Sequence, residues 1–119
     1  MAYDEVLAAR VRESLRGSAG LSERRMFGGL AFLLNGHLAV SASGRGGLLV
    51  RIDPARSAEL SGEPHVQRFS MRGREMDGWL HVEASALDTD DDLARWVAHG
   101  IAYASSLAPK HLPHSGPRH

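Results

Sequence analysis

The segment "MFGGLAFLLNGHLAV", residues 26–40, constrains the fold more than any other part of the chain. An apolar run is followed by Asn35-Gly36, and then by "HLAVSAS", in which apolar residues alternate with small or polar ones. Asn-Gly between two such segments is the strongest short-range signal for a two-residue β-hairpin. A second turn at "GRGG" leads into "LLVRID". We therefore predict a three-stranded meander over residues 25–52.

Further elements are predicted before and after the meander. Apolar residues recur every four positions over residues 2–16, which predicts a helix, and Gly17 is suited to end it. Asp53 and Pro54 provide an N-cap and a proline at the first helical position, so we predict a short helix to residue 60. Two strands follow, "VQRFSM" and "GWLHVEA", and "RGREMDG" between them has a glycine at each end of a hairpin loop.

The last helix has the clearest sequence pattern. Thr89 and Asp92 form a start that resembles a capping box, and the adjacent acidic residues suit a helix N-terminus. Its apolar stripe is predicted to consist of Leu93, Trp96, Val97, Ile101, Ala104 and Leu107. Pro109 ends the helix, and residues 109–119 are predicted to form a disordered tail because they are rich in proline and poor in apolar residues.

The order α-β-β-β-α-β-β-α predicts an α+β fold, a two-layer sandwich of helices on a sheet. We expect five mostly antiparallel strands, all helices on one face, and a single domain over residues 1–108. An antiparallel sheet tolerates water on its second face, so apolar residues there indicate a partner.

Composition narrows the class of function. The chain has 119 residues, 14 basic and 14 acidic side chains, and no cysteine. The absence of cysteine excludes disulfides, thiolate metal sites and thiol nucleophiles, and fits a reducing cytoplasm. Balanced charge disfavours a domain that binds nucleic acid directly, because such domains usually carry a basic excess. The N-terminal segment has no apolar core of a signal peptide, and no apolar run approaches the ~20 residues of a membrane span. We therefore expect a soluble cytoplasmic protein.

Five segments together resemble the N-terminal domain of the TfoX (Sxy) family of bacterial competence regulators. They are "MAYDEVLAARVRESL", "ERRMFGGLAFLLNGHLAV", "LLVRIDP", "MRGREMDGWLHVE" and "LARWVAHGIAYASSLAPK", in family order over about residues 1–110. The resemblance implies an α+β fold of the secretion-chaperone-like kind and a link to transcription control of DNA-uptake genes. That link belongs to members with a second, helical domain, which this chain is expected to lack. The family offers no catalytic residues to carry over, so we expect no enzyme activity and no cofactor.

The segment "RRMFGG" admits two interpretations. Its glycines match neither G-x-G-x-x-G nor the phosphate-binding loop, and they precede a strand rather than a helix. A structural interpretation makes Gly28 or Gly29 a bulge or a point of close backbone approach, such as a crossing by the first helix. A functional interpretation makes Arg24 and Arg25 anion contacts beside that backbone.

Seven histidines raise the question of a metal site. Strict alternation places His37 opposite to Leu38 and Val40, and places His81 and Glu83 on one face. If both sets lie on the open face, His37, His81 and Glu83 are candidate zinc ligands. Their spacing matches no metal motif, so we predict ordinary surface histidines and no metal.

The interaction candidates are large apolar residues that fit poorly in the helix–sheet core, together with nearby arginines and glycines. Trp79 either presents an aromatic anchor on the open face or covers the core from a sheet edge. The full set is Arg24, Arg25, Phe27, Gly28, Gly29, Arg51, Met76 and Trp79. Our leading hypothesis is a regulatory protein-interaction module that binds an unidentified protein and forms a homodimer through its sheet face or edge.

Two alternatives remain at this point. The chain could bind nucleic acid through an arginine stripe, which would make binding fall steeply with salt. The stripe would comprise Arg24, Arg25, Arg45, Arg51, Arg68, Arg72 and Arg74. A small-ligand or metal-binding protein, or an enzyme, would instead need a pocket beside "RRMFGG".

Overall fold

The computed structural model describes residues 4–26, 28–71 and 73–107. The helices are α1 (Glu5–Ser14), α2 (Ser57–Ser61) and α3 (Asp90–Ser106), with 3-10 turns at Pro54–Arg56 and Ala84–Leu87. The strands are β1 (Leu21–Met26), β2 (Gly29–Leu34), β3 (His37–Ala42), β4 (Leu48–Arg51), β5 (Val66–Met71) and β6 (Arg74–Val82). The predicted α+β class is confirmed.

The strands form one sheet in the order β1-β2-β3-β4-β6-β5, and every neighbouring pair is antiparallel. The prediction of five strands was wrong by one, because residues 21–26 form an additional edge strand. Met26 pairs with Gly29, so the segment predicted as one strand from residue 25 is a hairpin. Four of the six β1 residues are exposed, so this strand lacks the apolar alternation on which the prediction of strands relied.

Local capping signals fix the helix starts. The Asp4 side chain accepts a hydrogen bond from Leu7 N at 3.1 Å, so α1 begins at Glu5 rather than at residue 2. The Thr89 hydroxyl accepts from Asp92 N at 3.0 Å, which confirms the predicted N-cap of α3. Both contacts satisfy backbone donors that a helix N-terminus otherwise leaves unpaired. The predicted tail, residues 109–119, lies outside the described residues.

All three helices contribute to one core on the same side of the sheet. Trp96 of α3 lies in this core and is 2% exposed, as its place in the predicted apolar stripe requires. It packs with apolar side chains of α1, α2 and strands β2–β6: Leu7, Val11, Leu60, Phe32, Val40, Val50, Val66 and Leu80. This face of the sheet is therefore covered. The opposite face, which we name the open face, carries a separate apolar cluster.

A β-bulge in β3 changes which residues reach each face. Phe32 pairs with Val40 but Leu33 pairs with Leu38, so Ala39 is an extra residue in the ladder. Ala39 packs with Ala104 of α3, and Val40 lies in the main core. Leu38 consequently faces the open side. The strict alternation assumed from the sequence was wrong here, because a bulge puts two successive residues opposite one.

Two glycines allow backbone to approach backbone closely. A Cβ on Gly100 of α3 would overlap the carbonyl oxygen of Ala39, so α3 rests directly on the bulge. A Cβ on Gly29 would overlap the carbonyl oxygen of Ala42. The predicted close approach at Gly29 is thus present, but the neighbour is β3 and not the first helix. Gly28 has φ +77° and open space around its Cα, which suits the β1–β2 turn.

The β5–β6 hairpin is tighter than predicted, and β6 is irregular. β6 begins at Arg74, so most of the expected loop "RGREMDG" is strand; Arg72 lies outside the described residues. The pairing shifts between Arg68 and Ser70 of β5. Gly78 has φ +89° near this shift and donates its N–H to the buried Ser57 hydroxyl at 2.7 Å. Within the described segments, no helix is long and apolar enough to cross a membrane.

Candidate interaction surface

The open face carries an apolar cluster formed by β1, β2, β3 and β6. Ala31, Leu33 and Leu38 are buried at its centre, with Leu33 8% and Leu38 6% exposed. Met26 and Trp79 pack over them and are themselves only partly buried. We name these five residues the open-face cluster. Its accessible part is therefore a thioether and an indole rather than the aliphatic centre.

Arg51 lies beside this cluster, between two aromatic rings. The register pairs Arg51 of β4 with Trp79 of β6. The guanidinium carbon is 5.2 Å from the centre of the Trp79 ring and 5.4 Å from that of Tyr103 in α3. Such contacts orient a guanidinium while leaving its N–H groups able to donate. The two rings position this cation, and no carboxylate among the described residues forms an ion pair with it.

Strand geometry separates Arg24 from Arg25. Arg24 pairs with Ala31 on the open face, whereas Arg25 pairs with Leu30, whose side chain lies in the main core. Successive strand residues point to opposite faces of the sheet, so the two exposed arginines cannot bind the same anion. Glu23, on the helix side like Arg25, accepts hydrogen bonds from Arg12 of α1 at 2.6 and 2.9 Å. These bonds, opposed in part by burial, lower the pKa of Glu23 from its ordinary 4.5.

The other arginines of the hypothetical stripe do not form one continuous surface. Arg68 is on the opposite edge strand from Arg24 and lies 3.5 and 3.4 Å from carboxylate oxygens of Glu75 and Asp77. Arg45 lies against the Phe69 ring at 5.8 Å. Arg72 lies outside the described residues. The sheet therefore disperses these charges across its full width.

The histidine and glutamate candidates for zinc are not brought together. His37 pairs with Leu34, which packs toward α3, whereas His81 alternates with the core residues Leu80 and Val82 and lies on the other face. The His81 ring nitrogen Nε2 is 2.7 Å from the Gly46 carbonyl oxygen. Glu83 accepts a hydrogen bond from Gln67 at 3.0 Å and lies 3.6 Å from His65 Nδ1. Within the described part of the chain, no group of three or more potential ligands has metal-binding geometry.

A surface cavity of about 220 Å³ lies between α3 and the end of β4. Its polar lining includes Asp53, Arg56, His99, Tyr103 and Ser106. Burial lowers the pKa of His99 from its ordinary 6.5, assisted by nearby positive charge, which favours its neutral imidazole. A neutral imidazole and a phenol can hydrogen-bond a small polar group. Neither this cavity nor a second one beside α1 is lined by residues of "RRMFGG".

The chain matches the TfoX N-terminal domain over residues 13–104. The protein belongs to the TfoX N-terminal domain family. No curated protein matches the chain, and no solved structure matches it.

The surface of this TfoX N-terminal domain joins residues that sequence reasoning had found separately. Arg51 and Trp79 were both interaction candidates, and the β4–β6 register makes them neighbours. Met76 is half-buried in the irregular part of β6, apart from the open-face cluster, and Phe27 lies outside the described residues. Tyr103 was missed, although its position seven residues after Trp96 places it two turns along nearly the same face of α3.

Proposed function

We propose that this TfoX N-terminal domain is a non-enzymatic, cytoplasmic protein-interaction module of a regulatory, competence-type system. It binds a protein partner through the open face and also associates with a second copy of itself. The juxtaposition of Arg51 and Trp79 over the open-face cluster supports the proposal most directly. Tryptophan and arginine are the residue types most enriched at the energetic centres of protein interfaces.

The same geometry indicates the chemistry of the partner. The accessible parts of the partly buried Trp79 and Met26 offer apolar surface, which a partner can cover with an aliphatic or aromatic side chain. Arg51 is already oriented and has no ion pair among the described residues, so an acidic side chain of the partner complements it without first breaking a contact. The expected ligand is therefore a protein segment that presents an apolar residue next to a carboxylate. The dispersed arginines, by contrast, give little support to direct nucleic-acid binding.

Affinity capture from an extract of the source cells tests this proposal. Trp79→Ser removes the partly buried indole, and the expected result is at least a tenfold loss of captured partner, since truncation of a central interface residue costs about 2 kcal/mol or more. Arg51→Glu should have a similar effect, because it would oppose the partner's carboxylate. Quantitative mass spectrometry of the retained proteins provides the measurement.

Val6→Ser is the matched control. Val6 is 72% exposed on α1, and its replacement introduces the same residue type, serine, in place of an apolar side chain away from the open face. Proteins retained by the wild type and Val6→Ser, but not by either surface variant, support the proposal. Equal retention by all four proteins would contradict it, and the identity of the lost protein would show whether the setting is competence.

A further inference from the structure

We propose that β1 pairs with β1 of a second copy to form an antiparallel, two-fold symmetric dimer centred on Arg24. In this register Glu23 of each copy lies opposite Arg25 of the other. The proposal deepens the self-association included in the proposed function. It specifies which edge of the sheet forms the dimer, in which register, and which charged residues pair.

The two edges of the sheet differ in their suitability for pairing. β1 is a terminal strand in which six consecutive residues pair with β2 without a register shift. β5, the other terminal strand, has a shift between Arg68 and Ser70. Shifts of this kind disrupt the ladder and twist an edge away from further pairing. β1 is therefore the regular edge, and no described strand pairs with its outer side.

The hairpin geometry identifies which β1 residues offer that backbone. Pairing of Met26 with Gly29 leaves a two-residue loop, so these two residues exchange hydrogen bonds. At the other end of the strand, Asn35 N donates to Gly20 O at 2.9 Å. Hydrogen-bonded positions alternate, so the even-numbered residues of β1 bond to β2. The N–H and C=O groups of Leu21, Glu23 and Arg25 point toward the free edge.

Symmetry then limits the possible registers. An antiparallel pair of identical strands in a continuous sheet is related by a two-fold axis perpendicular to the sheet, so one residue must lie opposite its own copy. Centring on Glu23 opposes two carboxylates and places Arg25 opposite Leu21. Centring on Arg24 opposes two exposed guanidinium groups but creates two Glu23–Arg25 pairs. Cross-strand pairs of opposite charge stabilise a sheet and like pairs destabilise it, so charge favours the Arg24-centred register over the Glu23-centred one, and among the registers of β1 it creates the two Glu23–Arg25 pairs.

The side chains of the selected register lie on a common face. Glu23 and Arg25 both point to the helix side, as their pairing with Phe32 and Leu30 shows. The backbone N–H and C=O groups of both residues also point to the free edge. Each Glu23 therefore exchanges two main-chain hydrogen bonds with Arg25 of the other copy, in addition to the side-chain pair. Glu23 can accept from Arg25 of the second copy while it binds Arg12, because a carboxylate has about four acceptor sites.

Sedimentation equilibrium of the full chain, from micromolar to millimolar concentration, tests the register through charge complementation. Glu23→Lys creates two like-charge cationic pairs, and Arg25→Glu creates two anionic ones. For each variant alone, the dissociation constant of the dimer should be at least about tenfold higher than for the wild type. An equimolar mixture restores two opposite-charge pairs in a heterodimer, and should regain the wild-type dissociation constant within about threefold.

Recovery in the mixture distinguishes the register from a general effect on folding, and far-UV circular dichroism of each variant checks its secondary structure. A wild type that remains monomeric throughout the range would overturn the edge dimer. So would a mixture that associates no better than its separate components. Trp79→Ser should leave the dimer unchanged; loss of dimerisation in Trp79→Ser but in neither charge variant would overturn the register while preserving self-association through the open face.

Discussion

The Ser57 hydroxyl joins the short helix α2 to β6 at the most irregular point of the sheet. Ser57 is 2% exposed, and its Oγ accepts the Gly78 N–H at 2.7 Å. The positive φ of Gly78 directs that N–H away from the regular ladder, while its carbonyl accepts from Ile52 N at 2.9 Å. A buried donor without an acceptor is costly, so this one hydroxyl supports the local course of the strand that carries Trp79.

Ser57→Ala should therefore destabilise the protein by about 1–3 kcal/mol, the cost of a buried N–H left without its acceptor. Urea unfolding followed by circular dichroism measures the change. Ser85→Ala is the control, because Ser85 is exposed in a 3-10 turn, and we expect a change within about 0.5 kcal/mol. Equal stability of the two variants would show that water replaces the Ser57 contact.

At the scale of elements, the sequence predicted those structures whose signals are local. Thr89 identified the start of α3, and Asn35-Gly36 identified the β2–β3 turn, because capping and turn formation depend on a few adjacent residues. β1 was missed because an exposed edge strand has no apolar alternation. The bulge at Ala39 was missed because it depends on packing against α3. The Arg51–Trp79 contact was missed because it depends on the β4–β6 register, which no local signal specifies.

The contact of α3 with the bulge gives a prediction about helix–sheet packing. Gly100→Ala should destabilise the protein by about 1–2 kcal/mol, because overlap with the Ala39 backbone outweighs the ~1 kcal/mol by which alanine favours a helix. Denaturant unfolding provides the measurement. Gly62→Ala is the matched control, since its Cβ would meet only ordinary contacts, at 3.5 Å from Glu59 O. A Gly100→Ala protein as stable as Gly62→Ala would mean that α3 can move away from β3 at little cost.

Across the whole molecule, acid should weaken folding in two stages, and His99 accounts for the first. Burial lowers the pKa of His99 below 6.5; Arg95 and Arg56 lower it further, while Glu63 and Glu59 oppose them. The unfolded chain then takes up the proton more readily than the folded protein. The free energy of unfolding therefore decreases as pH falls below about 6.5.

The second stage comes from Glu23 and Glu63. Hydrogen bonds from Arg12 and Arg95 lower the pKa of these carboxyls below 4.5. The stability that the two ionised carboxylates contribute to the folded protein is therefore present above pH 4.5 and is lost as pH falls through the lowered pKa values. Urea unfolding from pH 7 to pH 3 should show both stages. His99→Gln should flatten the decline between pH 6.5 and 5. Glu63→Gln should reduce the decline below pH 4.5, and it should enlarge the first stage because Glu63 no longer opposes the lowering of the His99 pKa. A wild-type slope in His99→Gln would assign the first stage to other groups.

The position of α3 after all six strands affects how the chain can fold during synthesis. Strands β1–β4 form a local meander that requires no later residue. Its apolar helix side, however, is covered chiefly by α3, which follows all six strands in the chain. When the nascent chain has emerged from the ribosome as far as residue 60, strands β1–β4 can already pair. Trp96, the largest side chain that packs on their helix side, has not yet emerged. We expect this interval to be when the protein is most dependent on chaperones, because exposed apolar sheet surface promotes aggregation.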